Sequence, residues 1–437
     1  MLSKEDNELI TRVGPGTPMG NLMRHYWVPA MLSSELPKPD CDPVRVMLLG
    51  EKLIGFRDST GKVGLIQNHC PHRGASLFFG RNEECGLRCV YHGWKFDVDG
   101  NCVDMPNEPD ESDFKQKLKA LTYPCVERGG IVWTYMGPRK TPPPLSDIEV
   151  NQLPEDEYEI FPSLCESNWL QSIEGEIDTS HAGYLHFGGI FPEEVEEGTF
   201  LHYSVKDRAP RYSVVDTEYG VMYGAYRPAQ PGYQYWRIAN FMFPFITQTP
   251  EGVLGKSLIT NFWVPMDDYH TMAYIIVKKP KDGTVRLPIQ GTSDKYPPIA
   301  APLLPNTTDW FGRFRSVYNA ANDYGIDRER QRNYDYTGIE YLPIQDRAMQ
   351  ESMGAIYDRT QEHLAVSDVM VIRVRRRLIA AARALAEKQV IPPGVDNPEV
   401  YRSRSGGIIL PEGADWIAAT KDLREKSGVL SEESRCD

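Results

Sequence analysis

The chain has 437 residues, of which 41% are apolar, and a net charge of −13. That length exceeds one ordinary core and predicts two domains, while the acidic balance excludes the basic face that a nucleic-acid partner requires. No apolar run approaches the roughly 20 residues that span a bilayer, and Met1-Leu2-Ser3-Lys4-Glu5-Asp6 lacks the layout of a secretory leader. A cytoplasmic protein with no membrane partner is expected.

The first forty residues hold a turn-rich stretch, Gly14-Pro15-Gly16-Thr17-Pro18, and then Arg24-His25-Tyr26-Trp27-Val28-Pro29-Ala30. Short strands follow. Residues 44–49, 52–56 and 63–66 are apolar runs separated by Gly50-Glu51 and by Asp58-Ser59-Thr60-Gly61, which is hairpin spacing. An all-β module is therefore expected over 41–140, closed by Gly137-Pro138 and the proline-rich link Thr141-Pro142-Pro143-Pro144. The remainder, 145–437, reads as α+β with an antiparallel sheet: strand-like segments at 212–215 and 233–238 alternate with helical stretches. The clearest helix runs from Ser367, a candidate cap, to Lys388.

Two Cys/His loops stand inside the β module, Cys70-Pro71-His72-Arg73-Gly74 and Cys89-Val90-Tyr91-His92-Gly93-Trp94. Two cysteines and two histidines are also a zinc set, and ligand count alone leaves a structural zinc site open. The order of the ligands favours iron. Each loop offers one thiolate and one imidazole, which together give one iron two Cys and the other two His, the asymmetric ligation of a Rieske [2Fe–2S] centre. A zinc finger would pair Cys with Cys and place its histidines on a helix, and nothing helical follows His92. Gly74 and Gly93 suit backbone that turns tightly around a cluster, and Trp94 is placed to cover it. Cys85 and Cys102 lie outside both loops and read as free thiols.

Cluster chemistry alone makes an electron carrier, so a second redox metal decides the function. Asp178-Thr179-Ser180-His181 and His186 form D-x₂-H-x₄-H. Histidines five apart meet one metal only across a helix end or a distorted turn, where they supply two ligands of a 2-His-1-carboxylate triad. Two nearby histidines with no metal role remain the plainer alternative.

The two boxes resemble those of ring-hydroxylating Rieske oxygenase α-subunits. The opening Gly16-Thr17-Pro18-Met19-Gly20 and Arg24-x-Tyr26-Trp27-x-Pro29-Ala30 are similar to the phthalate dioxygenase branch, over essentially the whole chain. The resemblance implies a Rieske domain ligated by Cys70, His72, Cys89 and His92. It also implies a helix-grip catalytic domain, a large antiparallel sheet covered by helices, with residues 1–40 packing on it. The mononuclear Fe(II) would be held by His181, His186 and a distant carboxylate. Asp368, in a segment like Glu362-His363-Leu364-x-x-Ser367-Asp368, is the expected third ligand, with Asp346 and Glu351 as competitors. Asp178 is expected to bridge His181 to His92 of an adjacent subunit, which requires a trimer or stacked trimers (a hexamer).

The resemblance further implies O₂ and an aromatic carboxylate as substrates, with phthalate-like ring dihydroxylation as the reaction. O-demethylation, monohydroxylation and an electron carrier without oxygenase activity are the alternatives. Lacking a dinucleotide fingerprint, the chain would draw electrons from a separate NAD(P)H-dependent reductase carrying flavin and a plant-type ferredoxin. Arginine suits a buried carboxylate better than lysine, and Arg208, Arg211 and Arg237 are the candidates. Arg237 falls on one strand face with Tyr233 and Tyr235. The run Arg373, Arg375, Arg376 and Arg377 reads as a solvated or subunit-contact face.

Overall fold

The computed structural model describes residues 1–109, 111–279 and 293–425. Ser3 starts α1 (Lys4–Thr11) by accepting from the Asp6 N–H, and Thr17 starts α2 (Pro18–Arg24) by accepting from Gly20. Pro18 occupies the first turn, where a missing N–H is tolerated. β1 (Trp27–Leu32) follows.

The expected hairpins form. β2 (Val44–Leu48), β3 (Glu51–Arg57) and β4 (Val63–Gln67) are antiparallel neighbours, and the meander β5 (Arg81–Glu83), β6 (Gly86–Arg88), β7 (Lys95–Phe96) and β8 (Cys102–Asp104) stands beside them. After the short α3 (Phe114–Lys117), β9 (Thr122–Tyr123) returns to pair with β4. β10 (Cys125–Arg128) and β11 (Ile131–Tyr135) make a third sheet in the order β1-β11-β10. The first forty residues therefore divide between two structures. Their apolar Trp27–Leu32 run joins the β module's third sheet, while α1 and α2 lie against the long C-terminal helix.

The second half contains β12 (Tyr158–Cys165), α4 (Trp169–Ile177), α5 (Phe200–Lys206), β13 (Arg211–Asp216), β14 (Gly220–Pro228) and β15 (Tyr233–Met242). β16 (Ile246–Gln248), β17 (Ile259–Pro265), β18 (Thr271–Lys278), α6 (Arg328–Asn333) and α7 (Leu342–Ser352) come next. α8 (Val369–Lys388), β19 (Gly406–Pro411) and α9 (Trp416–Arg424) complete it. One eight-stranded antiparallel sheet runs β12-β18-β17-β16-β15-β14-β13, with β19 added to β15. α8 buries Met370, Val374, Leu378 and Ala382, one every four residues, which is the stripe that packs a helix on a sheet. Among the described residues no helix is long and apolar enough to cross a membrane.

The two halves share one core. The β2–β3 turn consists of Leu49 and Gly50, both at positive φ, and its N–H groups donate to the carbonyls of Pro265 and Met266 at 3.0 and 2.8 Å. Trp133 of β11 meets Phe262 of β17 edge to face, with centroids 5.4 Å apart.

Four charges are buried between α4 and α8. Glu174 accepts from Arg359 at 2.8 Å and from Arg375 at 2.6 Å, and Arg375 also pairs with Glu362. Burial alone would raise the Glu174 carboxyl, but the two guanidiniums override it and lower it. Arg375 is therefore an internal strut and not part of a solvated face, whereas Arg373 and Arg377 both pair with Asp216 nearer the surface. Glu174→Ala strands two buried arginines and is expected to cost about 3–5 kcal/mol in chemical denaturation; an unchanged midpoint would remove this network from the account of the fold.

Candidate metal centres

The two Cys/His loops have the same backbone. The Gly74 N–H donates to Cys70 O and the Gly93 N–H to Cys89 O, each at 2.9 Å. Cys70 N–H donates to Ala75 O and Cys89 N–H to Trp94 O, each at 2.8 Å. Gly74 and Gly93 occupy equivalent positions at φ 77° and 82°, conformations disfavoured for residues with a Cβ. C-x-H and C-x₂-H are thus two readings of one loop. His72 and His92 come together with ring centroids 4.4 Å apart, and Trp94 stacks on His72 at 4.2 Å, as a covering residue should.

His72 Nδ1 is buried and makes no hydrogen bond to the described residues, an orphaned atom aimed where a metal ligand is needed. Both cysteines are buried and unbridged, and burial raises the Cys70 thiol to about 11. Cys85 and Cys102 are free, the former exposed and the latter buried.

The second centre is assembled by α4, the turns after it, and α7. α4 stops at Asp178, whose φ and ψ are extended, and His181–Gly183 form a short 3₁₀ turn. A regular helix would point residues five apart in different directions. The irregular winding brings His181 Nε2 and His186 Nε2 to 3.1 Å. The third group is Asp346 of α7, whose Oδ1 lies 3.3 Å from both imidazole nitrogens. Three ligands on one octahedral face with bonds of about 2.1 Å stand about 3.0 Å apart, so this donor set fits a facial metal site and leaves the opposite face open.

Asp368 does not reach it. Its Oδ2 accepts from the Ala365 N–H at 2.6 Å and closes the turn before α8, the helix-start role that its position also permits. Ser367 lies inside that Val366–Asp368 turn and caps nothing.

The remaining imidazole nitrogens are held. His186 Nδ1 lies 2.8 Å from Gln345 Oε1, while Gln345 Nε2 donates to Ile339 O at 2.7 Å and so turns its carbonyl towards the histidine. The Nδ1–H tautomer follows, leaving Nε2 for a metal. His181 Nδ1 faces the carbonyl of Asp178, and the Asp178 carboxylate stands 3.8 Å away, itself held by the Ser180 N–H at 2.8 Å. Gln345 was not singled out by sequence reasoning; its signal is its place beside Asp346 in a short helix that buries the polar Gln345, Arg347 and Gln350 along with Ile344 and Ala348.

Two chambers flank the triad. The larger, about 220 Å³, is walled chiefly by aliphatic and aromatic side chains of β12, β17 and β18 and includes His181, Asp346 and Arg347. The smaller, about 70 Å³, includes all three triad residues with Asp178, Thr179, Arg237 and Glu251. Glu176 borders both; burial pushes its carboxyl up to about 7 against a hydrogen bond from Thr249 at 2.5 Å.

The expected arginines take different places. Arg237 is buried in the smaller chamber, donating to Thr179 Oγ1 at 2.8 Å and Glu251 Oε1 at 2.5 Å. Arg208 donates to the carbonyls of Gly183, Phe187 and Ile190 and braces the histidine turns. Arg211 pairs with Asp207 at the surface. Arg347, which sequence reasoning passed over, is buried against Ser163, 3.8 Å from Glu351.

A cluster-binding β module joined to a facial-triad domain is the layout of an electron-fed oxygenase. A Rieske [2Fe–2S] domain model matches residues 26–124, and a model described as LigXa C-terminal domain like matches residues 134–434. The oxygenase subunit of 3-chlorobenzoate-3,4-dioxygenase from Comamonas testosteroni is 44% identical, over 96% of this chain and 98% of its own. That of phthalate 4,5-dioxygenase from Pseudomonas putida is 39% identical, over 95% and 94%. Among solved structures, an oxygenase in a ferredoxin complex of carbazole 1,9a-dioxygenase has the same fold, with TM-score 0.54 and 19% identity over 90% of this chain and 96% of that one. The chain belongs to the Rieske non-haem iron oxygenases, as an oxygenase α-subunit of the phthalate dioxygenase-like branch. Cys70, His72, Cys89 and His92 would hold the family's cluster, and His181, His186 and Asp346 its mononuclear iron.

Asp346→Ala is expected to lower metal occupancy of the second site at least about tenfold while sparing the cluster absorption, and Asp368→Ala to leave both intact; metal analysis and the visible spectrum read the two. Without metal, burial lowers His181, but Asp346 and Asp178 override it and lift the imidazole from an ordinary 6.5 to about 9. A metal entering below that pH must displace the proton. Affinity for Fe(II) should then rise about tenfold per pH unit up to about 9 and level off above it, with proton release seen by calorimetry in buffers of different ionisation enthalpy.

Proposed function

We propose that this oxygenase component dihydroxylates the ring of an aromatic carboxylate, using O₂ and electrons from a separate NAD(P)H-dependent reductase that carries flavin and a plant-type ferredoxin. The observation that carries the reading is a facial triad opening on an apolar chamber large enough for one ring, with a buried guanidinium in the adjoining chamber. The names of the two relatives, which act on 3-chlorobenzoate and phthalate, support the substrate class. The ferredoxin in the carbazole 1,9a-dioxygenase complex supports a separate electron donor.

In this reading the iron supplies O₂ activation, and the protein supplies placement. The strands β12, β17 and β18 hold the ring and exclude water. Arg237 receives the carboxylate, Glu176, pushed up to about 7 by burial, is poised to exchange a proton beside the triad, and Gln345 and the Asp178 carbonyl fix the ligand imidazoles. Asp178 links His181 to His92 of a neighbouring subunit in a homotrimer, alone or stacked as a hexamer.

The test is turnover of the reconstituted system on a panel of aromatic acids, with product analysis. A cis-diol formed in step with O₂ consumption is expected, and Arg237→Met should raise KM about 10- to 100-fold, the range for losing a charged hydrogen bond. A demethylated or monohydroxylated product would replace the reaction assigned, and oxidation of neutral arenes at equal efficiency would remove the carboxylate.

A further inference from the structure

We infer that Glu251 sets the charge of the ligand this site accepts: by neutralising Arg237 it penalises ligands in proportion to their negative charge and turns away dicarboxylates. The inference rests on the reading that Arg237 receives the substrate. Arg237 and Glu251 are both more than nine-tenths buried, and they face each other across 2.5 Å in the chamber that contains the whole triad. Arg237 Nε is engaged by Thr179 at 2.8 Å. An arriving carboxylate therefore meets a cation whose charge is already compensated.

Anchoring the loop does not require this pair. Other bonds already tie it to β19 and its approach: the backbone Gly407 N–H donates to Gly252 O at 2.7 Å and Leu254 N–H to Gly407 O at 2.9 Å, and the Ser405 hydroxyl donates to Thr249 O at 2.7 Å. The other ionisable walls of the smaller chamber are acids, triad imidazoles and one phenol that burial keeps neutral, namely Glu176, Asp178, Asp346, His181, His186 and Tyr296. Arg347 belongs to the larger chamber, where Glu351 stands 3.8 Å away and its Nε has no hydrogen-bond partner among the described residues. Within the smaller chamber a second negative charge on the substrate finds no arginine other than Arg237 among the described walls.

Coulomb energy scales with ligand charge, so removing one fixed negative charge improves a dianion's free energy of binding twice as much as a monoanion's. In affinity that is a square. Glu251→Gln keeps the shape and removes the charge, and calorimetry on the anaerobic, reduced, iron-loaded protein reads the result. Benzamide, which is neutral, should bind unchanged, benzoate about tenfold tighter and phthalate about a hundredfold tighter. Equal gains for all three probes, or no gain for the anions, would overturn the inference.

The unaltered protein gives a second check that needs no folded variant: benzoate should bind more tightly than phthalate, and the reverse order overturns the inference equally. Arg237→Met separates the two ideas. If that variant binds benzoate as the wild type does, the assignment of Arg237 fails, whereas a loss at Arg237 with no charge-graded gain at Glu251 fails only the present inference.

Discussion

The Glu174 carboxylate, buried between Arg359 and Arg375, is the contact on which the rest of the catalytic half depends. It lies on the last turns of α4, four residues before Asp178 and seven before His181. Whatever direction α4 takes, the histidine turns inherit. A helix of nine residues is too short to hold its own direction in water, and the ion network fixes it against α8, which packs on β13 and β14 at one edge of the sheet. Charge of this kind makes poor glue, because desolvation consumes much of the attraction. Its use here is directional, since guanidinium and carboxylate planes accept few arrangements.

What could be read from the sequence and what could not divide along chain distance. The Cys/His loops were legible because all four candidate ligands and both glycines fall within short local stretches, and the loop geometry is written in the spacing itself. That His181 and His186 come together was legible for the same reason. The carboxylate that joins them was not, since Asp346 arrives from a helix more than a hundred and fifty residues on, and several acids there have similar neighbourhoods. Asp368 occupies a helix start, where an aspartate already has a sufficient physical reason to exist. Asp346 sits inside α7 next to Gln345, with buried Ile344 and Ala348 on either side. A carboxylate inside a half-buried helix has no such local reason, and that was the available clue.

Arg237 shows how far period-2 reasoning reaches. The alternation placed it with Tyr233 and Tyr235. Tyr235 and Arg237 are indeed buried, while Tyr233 lies exposed at the strand's start. The pattern gave the face correctly and was silent on the partner. Glu251 comes from a loop whose Pro250-Glu251-Gly252 sequence reads as an ordinary turn, and only the fold shows it opposite a buried guanidinium. The long helix was found within two residues of its ends, yet one of its basic residues, Arg375, turned inward because Glu174 and Glu362 were there to receive it.

The Leu49–Gly50 turn fixes more than a hairpin. Its two N–H groups are fastened to the end of β17, and the apolar core runs unbroken from Val46 and Leu53 through Trp133 to Phe262. Domains joined by so apolar an interface do not pivot as tethered ones do. The cluster module is consequently no swinging arm: the exposed edge around Tyr91 and His92 keeps one bearing relative to the chain's own sheet. A separate electron donor must then come to that edge in the one orientation the fold presents, because the module cannot turn to meet it.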